Sequence, residues 1–310
     1  MIGAQGLGCM GMSEFYGETD KVESRLTLER AIELGINIFD TADIYGVGAN
    51  EELLASFVST NRERVTIATK FGYCRTPESP DDWSLPDFIR AAVDRFLQRL
   101  GVDVIDLYYM HRRIGSVELE DSIGAMAELV GAGKAKWLGL SAVSTSELRA
   151  EHAVHPIAAL QSEWSISTRD IEQDVVPAAA ELGVTVVPYS PLGRGMLTGR
   201  AFATSLTDTD ARQHFPRFSA ESRAASMLLV AKIEDIASAR GVSAVQIAIA
   251  WLHAQSRKLK VKTAPIPGTR KRSRLLENVA AASMILTTPE MEALAPLASA
   301  VEGSTVYDPD

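Results

Sequence analysis

The feature that most constrains the fold of this chain is a regular alternation of short apolar runs with longer segments of helical periodicity. The apolar runs of strand length lie at residues 2–9, 36–39, 65–69, 104–110, 136–140, 157–161, 184–188 and 261–265. The helical patterns lie near residues 21–34, 50–58, 86–99, 118–131, 145–153, 172–182, 220–254, 271–283 and 289–299. Such alternation is typical of βαβ units and a parallel sheet. Eight strands with helices between them predict an α/β fold, a closed (β/α)8 TIM barrel.

Glycines stand where several predicted helices should end before a strand. They are Gly35, Gly101, Gly133 and Gly183. Glycine is the usual residue just past a helix C-terminus. No linker-like composition interrupts the chain, so we expect a single domain over residues 1–310. The longest irregular stretch, residues 190–220, predicts a large functional loop at one rim of the barrel.

The composition excludes several function classes. A formal net charge of −9 without a basic run argues against binding to nucleic acid or to anionic membranes. The two cysteines, Cys9 and Cys74, have no metal-ligand spacing and suggest neither a disulfide framework nor a zinc site. No apolar stretch is long enough to span a bilayer, and the N-terminus does not resemble a signal peptide. We therefore expect a cytoplasmic protein with neither a membrane nor a nucleic-acid partner.

Three short patterns resemble functional motifs but lack their required context. Residues 6–11 match GxGxxG, yet that fingerprint needs a preceding strand and a helix beginning at its last glycine. A tight glycine loop at the barrel rim explains this segment better. Residues 139–143 lack the final glycine of a nucleophile elbow. No further ligand joins His152 and His155, so we interpret them as solvated residues at a helix end.

Four polar residues follow or end predicted strands. Asp40, Lys70 and His111 close three of the apolar runs, and Tyr45 lies in the loop after Asp40. A barrel of parallel strands brings strand C-termini to one rim. Taken singly, such residues usually cap turns or point to solvent. Lys70, however, ends a strand that looks buried, and a buried ammonium requires a partner, for which Asp40 is the obvious candidate. Lys70 beside Tyr45 would lower the phenol pKa from about 10 towards working pH. The group therefore predicts a proton-transfer site, in which a tuned phenol serves as general acid.

These residues lie within motifs that resemble, in the same order, those of the aldo-keto reductase family. The motifs are residues 39–46 (FDTADIYG), 68–72 (ATKFG), 106–112 (DLYYMHR), 133–134, 139–141, 161–165 (QSEWS), 188–195 (PYSPLGRG), 265–270 (PIPGTR) and 277–278. The resemblance covers nearly the whole chain. Residues 6–13 and 216–218 resemble the bacterial and plant branch that includes perakine reductase.

The resemblance implies an NADPH-dependent enzyme that reduces a small aldehyde or ketone to an alcohol by hydride transfer. It assigns Tyr45 as the proton donor, Lys70 as the group that lowers its pKa, Asp40 as the residue that holds Lys70, and His111 as the residue that orients the carbonyl. It also implies that NADP(H) binds in an extended pose across the strand C-termini.

The cofactor residues are implied position by position. Ser141 and Gln161 match the partners of the nicotinamide carboxamide, and Tyr189 matches the aromatic that stacks on the nicotinamide. The remaining matches are Gly8, Cys9 and Met10 in the glycine loop; Ser190, Leu192, Gly193 and Arg194 along the pyrophosphate; Gly268, Thr269, Arg270 and Arg274 at the 2′-phosphate; and Glu277 and Asn278 at the adenine. Arginine forks suit phosphate oxygens, which favours NADPH over NADH.

The chain departs from the family pattern at three places. Ala142 stands where much of the family has Asn, and Arg112-Arg113 stands where many relatives carry a carboxylate just beyond the histidine. The first strand begins almost at Met1, so the N-terminal hairpin that closes the barrel floor in relatives is expected to be missing or truncated.

Two questions stay open at the level of sequence. Trp83 and Trp164 are candidates for the substrate pocket, with packing as the alternative interpretation of each. The alternative function is a cofactor-binding regulatory subunit with little turnover, resembling the potassium-channel β subunits that share this fold.

Overall fold

Parallel strands in sequential order form the centre of the fold. The computed structural model describes residues 3–73, 83–113, 117–202 and 206–303. The strands are β1 Gly6–Gly8, β2 Ile38–Asp40, β3 Thr66–Phe71, β4 Ile105–Met110, β5 Ala135–Ser141, β6 Ile157–Glu163 and β7 Thr185–Tyr189. Each pairs in parallel with the next, giving a seven-stranded sheet. This order confirms the barrel fold predicted from the alternation of strands and helices.

An irregular segment takes the place of the eighth predicted strand. Thr263 forms a parallel bridge with Val186, and the amide of Ile266 donates to the carbonyl of Pro188 at 3.1 Å. On the other side, the Gly6 amide donates to the carbonyl of Pro265 at 2.9 Å. The segment therefore joins β7 to β1. Proline has no amide to donate, which explains why this segment does not form a regular ladder.

Helices follow the strands as predicted, with one correction. The described residues form α1 Lys21–Glu33, α2 Ala49–Thr60, α3 Pro86–Leu100, α4 Leu119–Gly131, α5 Thr145–Val154, α6 Val175–Leu182, α7 Ala220–Arg240, α8 Ala244–Leu259, α9 Arg272–Ala280 and α10 Thr288–Leu294. The single long helical pattern expected over 220–254 is two helices. Gly241 ends α7 in a left-handed conformation, and Ser243 with Gln246 forms the capping box that starts α8. None of the helices in the described ranges is both long and apolar enough to cross a membrane.

The glycine pattern at residues 6–11 belongs to the barrel wall. A short 3-10 helix, Met10–Met12, follows β1, where the dinucleotide fingerprint would require an α-helix. A Cβ added at Gly8 would lie 2.9 Å from the carbonyl oxygen of Ile266. The glycine is therefore required by the close approach of β1 to the segment that closes the barrel.

The barrel interior is packed by side chains that fix the positions of the strand ends. Its cluster consists of Ala68, Leu107, Tyr109, Ala159, Val187 and Ile266, with Tyr189 packed against it. At the opposite end of the strands, Asp106 accepts hydrogen bonds from Arg62 and Lys136 and from the amide of Ile67. Ahead of β1, residues 3–5 are described, and the Gly3 amide donates to Asn37. Side chains therefore fill the interior of the barrel and the amino ends of its strands, and the rim formed by the carboxyl ends stays open.

Candidate active site

The rim holds a large cavity that three of the four predicted proton-transfer residues line. Asp40 is the last residue of β2, His111 directly follows β4, and Tyr45 lies in the turn between β2 and α2. All three face a cavity of about 1000 Å³, which is at the upper end of the roughly 300–1000 Å³ typical of ligand sites. Lys70, in β3, lies behind the cavity wall and is fully buried.

Lys70 links Asp40 to Tyr45. Its ammonium Nζ donates to Asp40 Oδ1 at 2.5 Å, to the carbonyl oxygen of Thr41 at 2.7 Å and to the Tyr45 hydroxyl at 3.3 Å. The second carboxylate oxygen, Asp40 Oδ2, accepts from Gln161 Nε2 at 2.8 Å. A buried ammonium is stable only when its charge and its donors are compensated, and these contacts do both.

The pKa of Tyr45 differs from the sequence prediction. Burial raises it to about 12, although Lys70 acts in the lowering direction. The prediction that Lys70 would bring the phenol pKa towards working pH is therefore wrong for the net shift, because desolvation of the phenolate outweighs the ammonium's attraction. Burial also acts to lower the pKa of Lys70, but Asp40 and Tyr45 outweigh it and the pKa is raised. At neutral pH the phenol keeps its proton and the lysine its charge.

His111 faces Tyr45 as a neutral imidazole. The two rings lie 6.1 Å apart between centroids at an interplanar angle of 86°, and the Tyr73 ring lies 5.9 Å from His111 on another side. Burial, Lys70 and Arg112 all lower the pKa of His111 well below its usual value. Its Nδ1 has no hydrogen-bond partner among the described residues. A neutral imidazole has one N–H group, which suits a carbonyl oxygen as acceptor.

Most of the predicted cofactor residues line the same cavity. They are Gly8, Met10, Ser141, Gln161, Tyr189, Ser190, Leu192, Arg194, Gly268, Thr269, Arg270, Arg274, Glu277 and Asn278. The two others, Cys9 and Gly193, do not line it. The Cys9 side chain is fully buried, with burial raising its pKa, and the Gly193 amide donates to the carbonyl of Ser190 at 2.8 Å. Either could meet a ligand only through its backbone.

The two candidate pocket tryptophans lie outside the cavity surface. Trp164 is fully buried in the core, and its indole Nε1 donates to Glu172 at 2.8 Å, so it does not line a pocket. Trp83 packs against Tyr73 and donates from Nε1 to the carbonyl oxygen of Arg112 at 3.0 Å. It therefore supports the cavity wall from behind.

Several arginines that line the cavity lie near one another. Arg270 donates to the carbonyl oxygens of residues 11, 16 and 17, which anchors the glycine loop. Arg274 forms no ion pair with any residue that the structure describes. Burial and repulsion by Arg200 and Arg270 lower its pKa. Because neighbouring cations repel, an anion bound here would relieve the repulsion and gain hydrogen bonds from the arginine fork. Arg272 lies outside this group and pairs with Glu23 at 3.0 Å.

The loop after β7 is only partly free to bind an anion through its backbone. The amide of Gly195 donates to the carbonyl of Leu192, and the Gly193 amide is also used internally. The Arg194 guanidinium lies 4.0 Å from Glu163 and 4.4 Å from the Phe215 ring centroid. The cation expected along the pyrophosphate is therefore held against the loop in this state.

The predicted carboxamide site has an unusual backbone at Ala142. Its φ of 52° is left-handed, a region in which Asn is far commoner than Ala. Beside it, Ser141 Oγ accepts from Arg112 Nη1 at 2.9 Å, and Gln161 donates to Asp40. The side chains predicted to hold a carboxamide thus have protein partners in the structure.

Some cavity residues were not predicted from the sequence. They include Ile44, Tyr73, Phe215, Arg200 and Arg212. Arg212 pairs with Asp210 at 2.6 Å and lies over the Tyr16 ring at 5.4 Å. The sequence signal for Arg200, Arg212 and Phe215 was the long loop 190–220, which identified the segment but not its side chains.

Within the ranges described, no cluster of three or more His, Cys, Asp or Glu residues could hold a metal ion.

The fold and the cavity together define the class of protein. It is a (β/α)8 barrel with a polar ligand cavity at the carboxyl ends of its strands. The sequence profile of the Aldo/keto reductase family matches residues 5–298, and the chain belongs to that family. The protein is therefore an oxidoreductase, as the motifs predicted.

Solved structures with the same barrel support this assignment. The glycerol dehydrogenase of Gluconobacter oxydans is 26% identical with a TM-score of 0.84, and the match covers 100% of this chain and 95% of that one. A thermostable aldo-keto reductase solved with the inhibitor epalrestat is 28% identical with a TM-score of 0.76, covering 96% and 95%. An aldo-keto reductase from Klebsiella pneumoniae, solved with NADPH, shares the fold at 23% identity, a TM-score of 0.75 and coverage of 96% and 91%.

Proposed function

We propose that this protein reduces an aldehyde or ketone to an alcohol with NADPH, and that Tyr45 is the proton donor. The observation that carries the proposal is the Tyr45 hydroxyl at the cavity wall, 3.3 Å from the buried Lys70 ammonium. A protonated phenol beside a fixed cation is suited to protonating an oxygen that gains negative charge.

Each polar residue has a distinct part in this reaction. NADPH, when bound, supplies the hydride to the carbonyl carbon. His111, being neutral, donates a hydrogen bond that orients the carbonyl oxygen, and Tyr45 transfers its hydroxyl proton to that oxygen. Lys70 then stabilises the phenolate left on Tyr45, while Asp40 keeps the ammonium charged and in place.

The donor set of the cavity fits NADPH. Arg274 presents an unpaired guanidinium, among the described residues, within a group of cations that favours a phosphate. Ser141 and Gln161 would hold the nicotinamide carboxamide, and Tyr189 would stack on its ring. Glu277 and Asn278 line the same cavity and would contact the adenine. The family resemblance supports the same arrangement, and the Klebsiella relative was solved with NADPH.

The test is a Tyr45→Phe substitution. We expect the loss of NADPH absorbance with 4-nitrobenzaldehyde to slow by at least about 100-fold, because proton transfer contributes roughly 10²–10⁴ to such rates. NADPH binding, followed by fluorescence, should stay within about twofold. Retained turnover in the variant contradicts the role of Tyr45.

The same assay separates the enzyme from the alternative of a regulatory subunit. NADPH binding by the wild-type protein without turnover of any aldehyde or ketone in a broad panel would support the regulatory function.

The branch of the family to which the chain belongs stays a prediction. Residues 6–13 and 216–218 resemble the branch that includes perakine reductase, and this resemblance supports placing the chain there.

A further inference from the structure

An arginine without a carboxylate partner stands next to the proposed reaction site. Arg112 follows His111 at the end of β4 and lines the cavity that Tyr45 and His111 also line. Its charge contributes to the low pKa of His111, and it acts on the pKa of Tyr45 as well. Arg112 therefore lies close enough to the proposed site to contact a substrate bound there.

The guanidinium of Arg112 is held in place by neutral groups. Nη1 donates to the carbonyl oxygen of His111 at 2.7 Å and to Ser141 Oγ at 2.9 Å. The Trp83 indole fixes the Arg112 carbonyl from behind. These contacts orient Nη1, and the Tyr189 hydroxyl is a further neutral neighbour of the guanidinium.

Three other arginines of the cavity have carboxylate partners, whereas Arg112, like Arg270 and Arg274, has none among the described residues. Arg194, Arg200 and Arg212 lie within 4.0 Å of Glu163, Glu277 and Asp210, respectively. Arg113, the residue after Arg112, pairs with Glu147 at 3.5 Å and does not line the cavity. Among the described residues, none supplies a carboxylate to Arg112. Arg112 is half-buried, and its charge, like that of the buried Lys70, acts on His111. Such a cation is costly unless an anion compensates it.

We propose that Arg112 is a specificity-determining residue that binds a carboxylate on the substrate, so that the preferred substrates are carbonyl compounds carrying an acidic group. This inference rests on the proposed reductase function. The planar fork of arginine matches a carboxylate geometrically, and such charged hydrogen bonds are stronger than neutral ones. The Tyr73 ring beside His111 and the Ile44 side chain supply an apolar wall for the carbon frame between the two polar groups.

The experiment compares the isomeric formylbenzoates with their methyl esters, which keep the aldehyde and remove the charge. For the wild-type protein we expect at least one isomer to have a kcat/KM roughly tenfold or more above that of its ester. In Arg112→Gln this ratio should fall to near one, with the loss mainly in KM because the guanidinium does not transfer the proton. Arg112→Lys should retain part of the ratio. The control is Arg113→Gln, in which the ratio should stay that of the wild type.

Two outcomes would overturn the inference. One is a wild-type protein that reduces acid and ester equally well for all three isomers. The other is an Arg112→Gln variant in which acid and ester lose activity by the same factor, which indicates a structural role only.

A failure of the reductase function itself would be seen as no turnover of any aldehyde. In that case, calorimetric titration with benzoate tests separately whether Arg112 binds a carboxylate. Binding that weakens roughly tenfold or more in Arg112→Gln supports the carboxylate site, and equal binding by both proteins rejects it.

Discussion

Gln161 Nε2 donates to Asp40 Oδ2 at 2.8 Å, so the carboxylate that holds Lys70 is itself held from a strand on another side of the barrel. Asp40 ends β2, Lys70 lies in β3 and Gln161 lies in β6. The ion pair is thereby fixed at both carboxylate oxygens. The resemblance to the family assigned Gln161 to the cofactor, and in this structure its side chain also holds Asp40 of the proposed proton-transfer group.

The first prediction concerns the stability of this buried pair. Asp40→Asn leaves the Lys70 ammonium without its counter-charge in the barrel interior. We expect the free energy of unfolding to fall by about 3 kcal/mol or more, because removing one partner of a buried pair leaves an uncompensated charge. Urea denaturation measures the change. The double variant Asp40→Asn, Lys70→Met should recover much of that stability while remaining inactive. A double variant as unstable as the single one would contradict the account.

The second prediction concerns pH and Glu151, a residue of α5. Glu151 is fully buried, and neither carboxyl oxygen has a hydrogen-bond partner among the residues described. Burial and the neighbouring Glu147 raise its pKa to about 8. Since the unfolded value is about 4.3, Glu151 favours folding in its neutral form, and this contribution is present in full below pH 4.3 and lost as the pH rises through about 8.

The substitution Glu151→Gln should therefore remove part of the pH dependence of stability. Near pH 5 the variant and the wild type should be similar, while at pH 8.5 the variant should be more stable by roughly 2 kcal/mol or more. Thermal or urea unfolding at several pH values measures the difference. Glu120→Gln, at an exposed position on α4, is the control and should leave the pH profile unchanged. Parallel profiles for Glu151→Gln and wild type would refute the assignment.

The third prediction separates two arginines that are neighbours in sequence. Arg274 lines the cavity, whereas Arg272 is half exposed and pairs with Glu23. Arg274→Ala should weaken NADPH binding by roughly tenfold or more, because charged hydrogen bonds to phosphate are worth about 1.5–3 kcal/mol. The preference for NADPH over NADH should drop by a similar factor. Arg272→Ala should leave that preference as it is. Equal effects of the two substitutions, measured by fluorescence titration, would show that only overall charge matters.

The barrel and the meeting of its polar residues could be predicted because both follow from local patterns. Asp40, Lys70 and His111 end apolar runs, and the topology of a parallel barrel brings such ends together without further information. The break at Gly241 was missed because the helical pattern continues on both sides of a single glycine.

What could not be predicted depends on distances and burial that arise only in three dimensions. The net pKa shift of Tyr45 is a balance between burial and the pull of Lys70, and a sequence shows only that both are present. Trp164 was a pocket candidate from its place after Gln161, but its ring packs in the core. The hydrogen bonds by which Arg270 anchors the glycine loop could not be predicted either, because the guanidinium donates to backbone oxygens that are distant in sequence.

The close approach of Gly8 and Gly268 limits how this protein can be altered. A Cβ added at Gly268 would lie 3.1 Å from the Gly8 carbonyl oxygen, and one added at Gly8 would lie 2.9 Å from that of Ile266. Any side chain at these positions would push apart the first and last segments of the barrel, at the place where the cavity is lined by backbone. Libraries made to change substrate preference should therefore leave both glycines intact and vary cavity side chains that are not assigned to the cofactor, such as Ile44 and Tyr73.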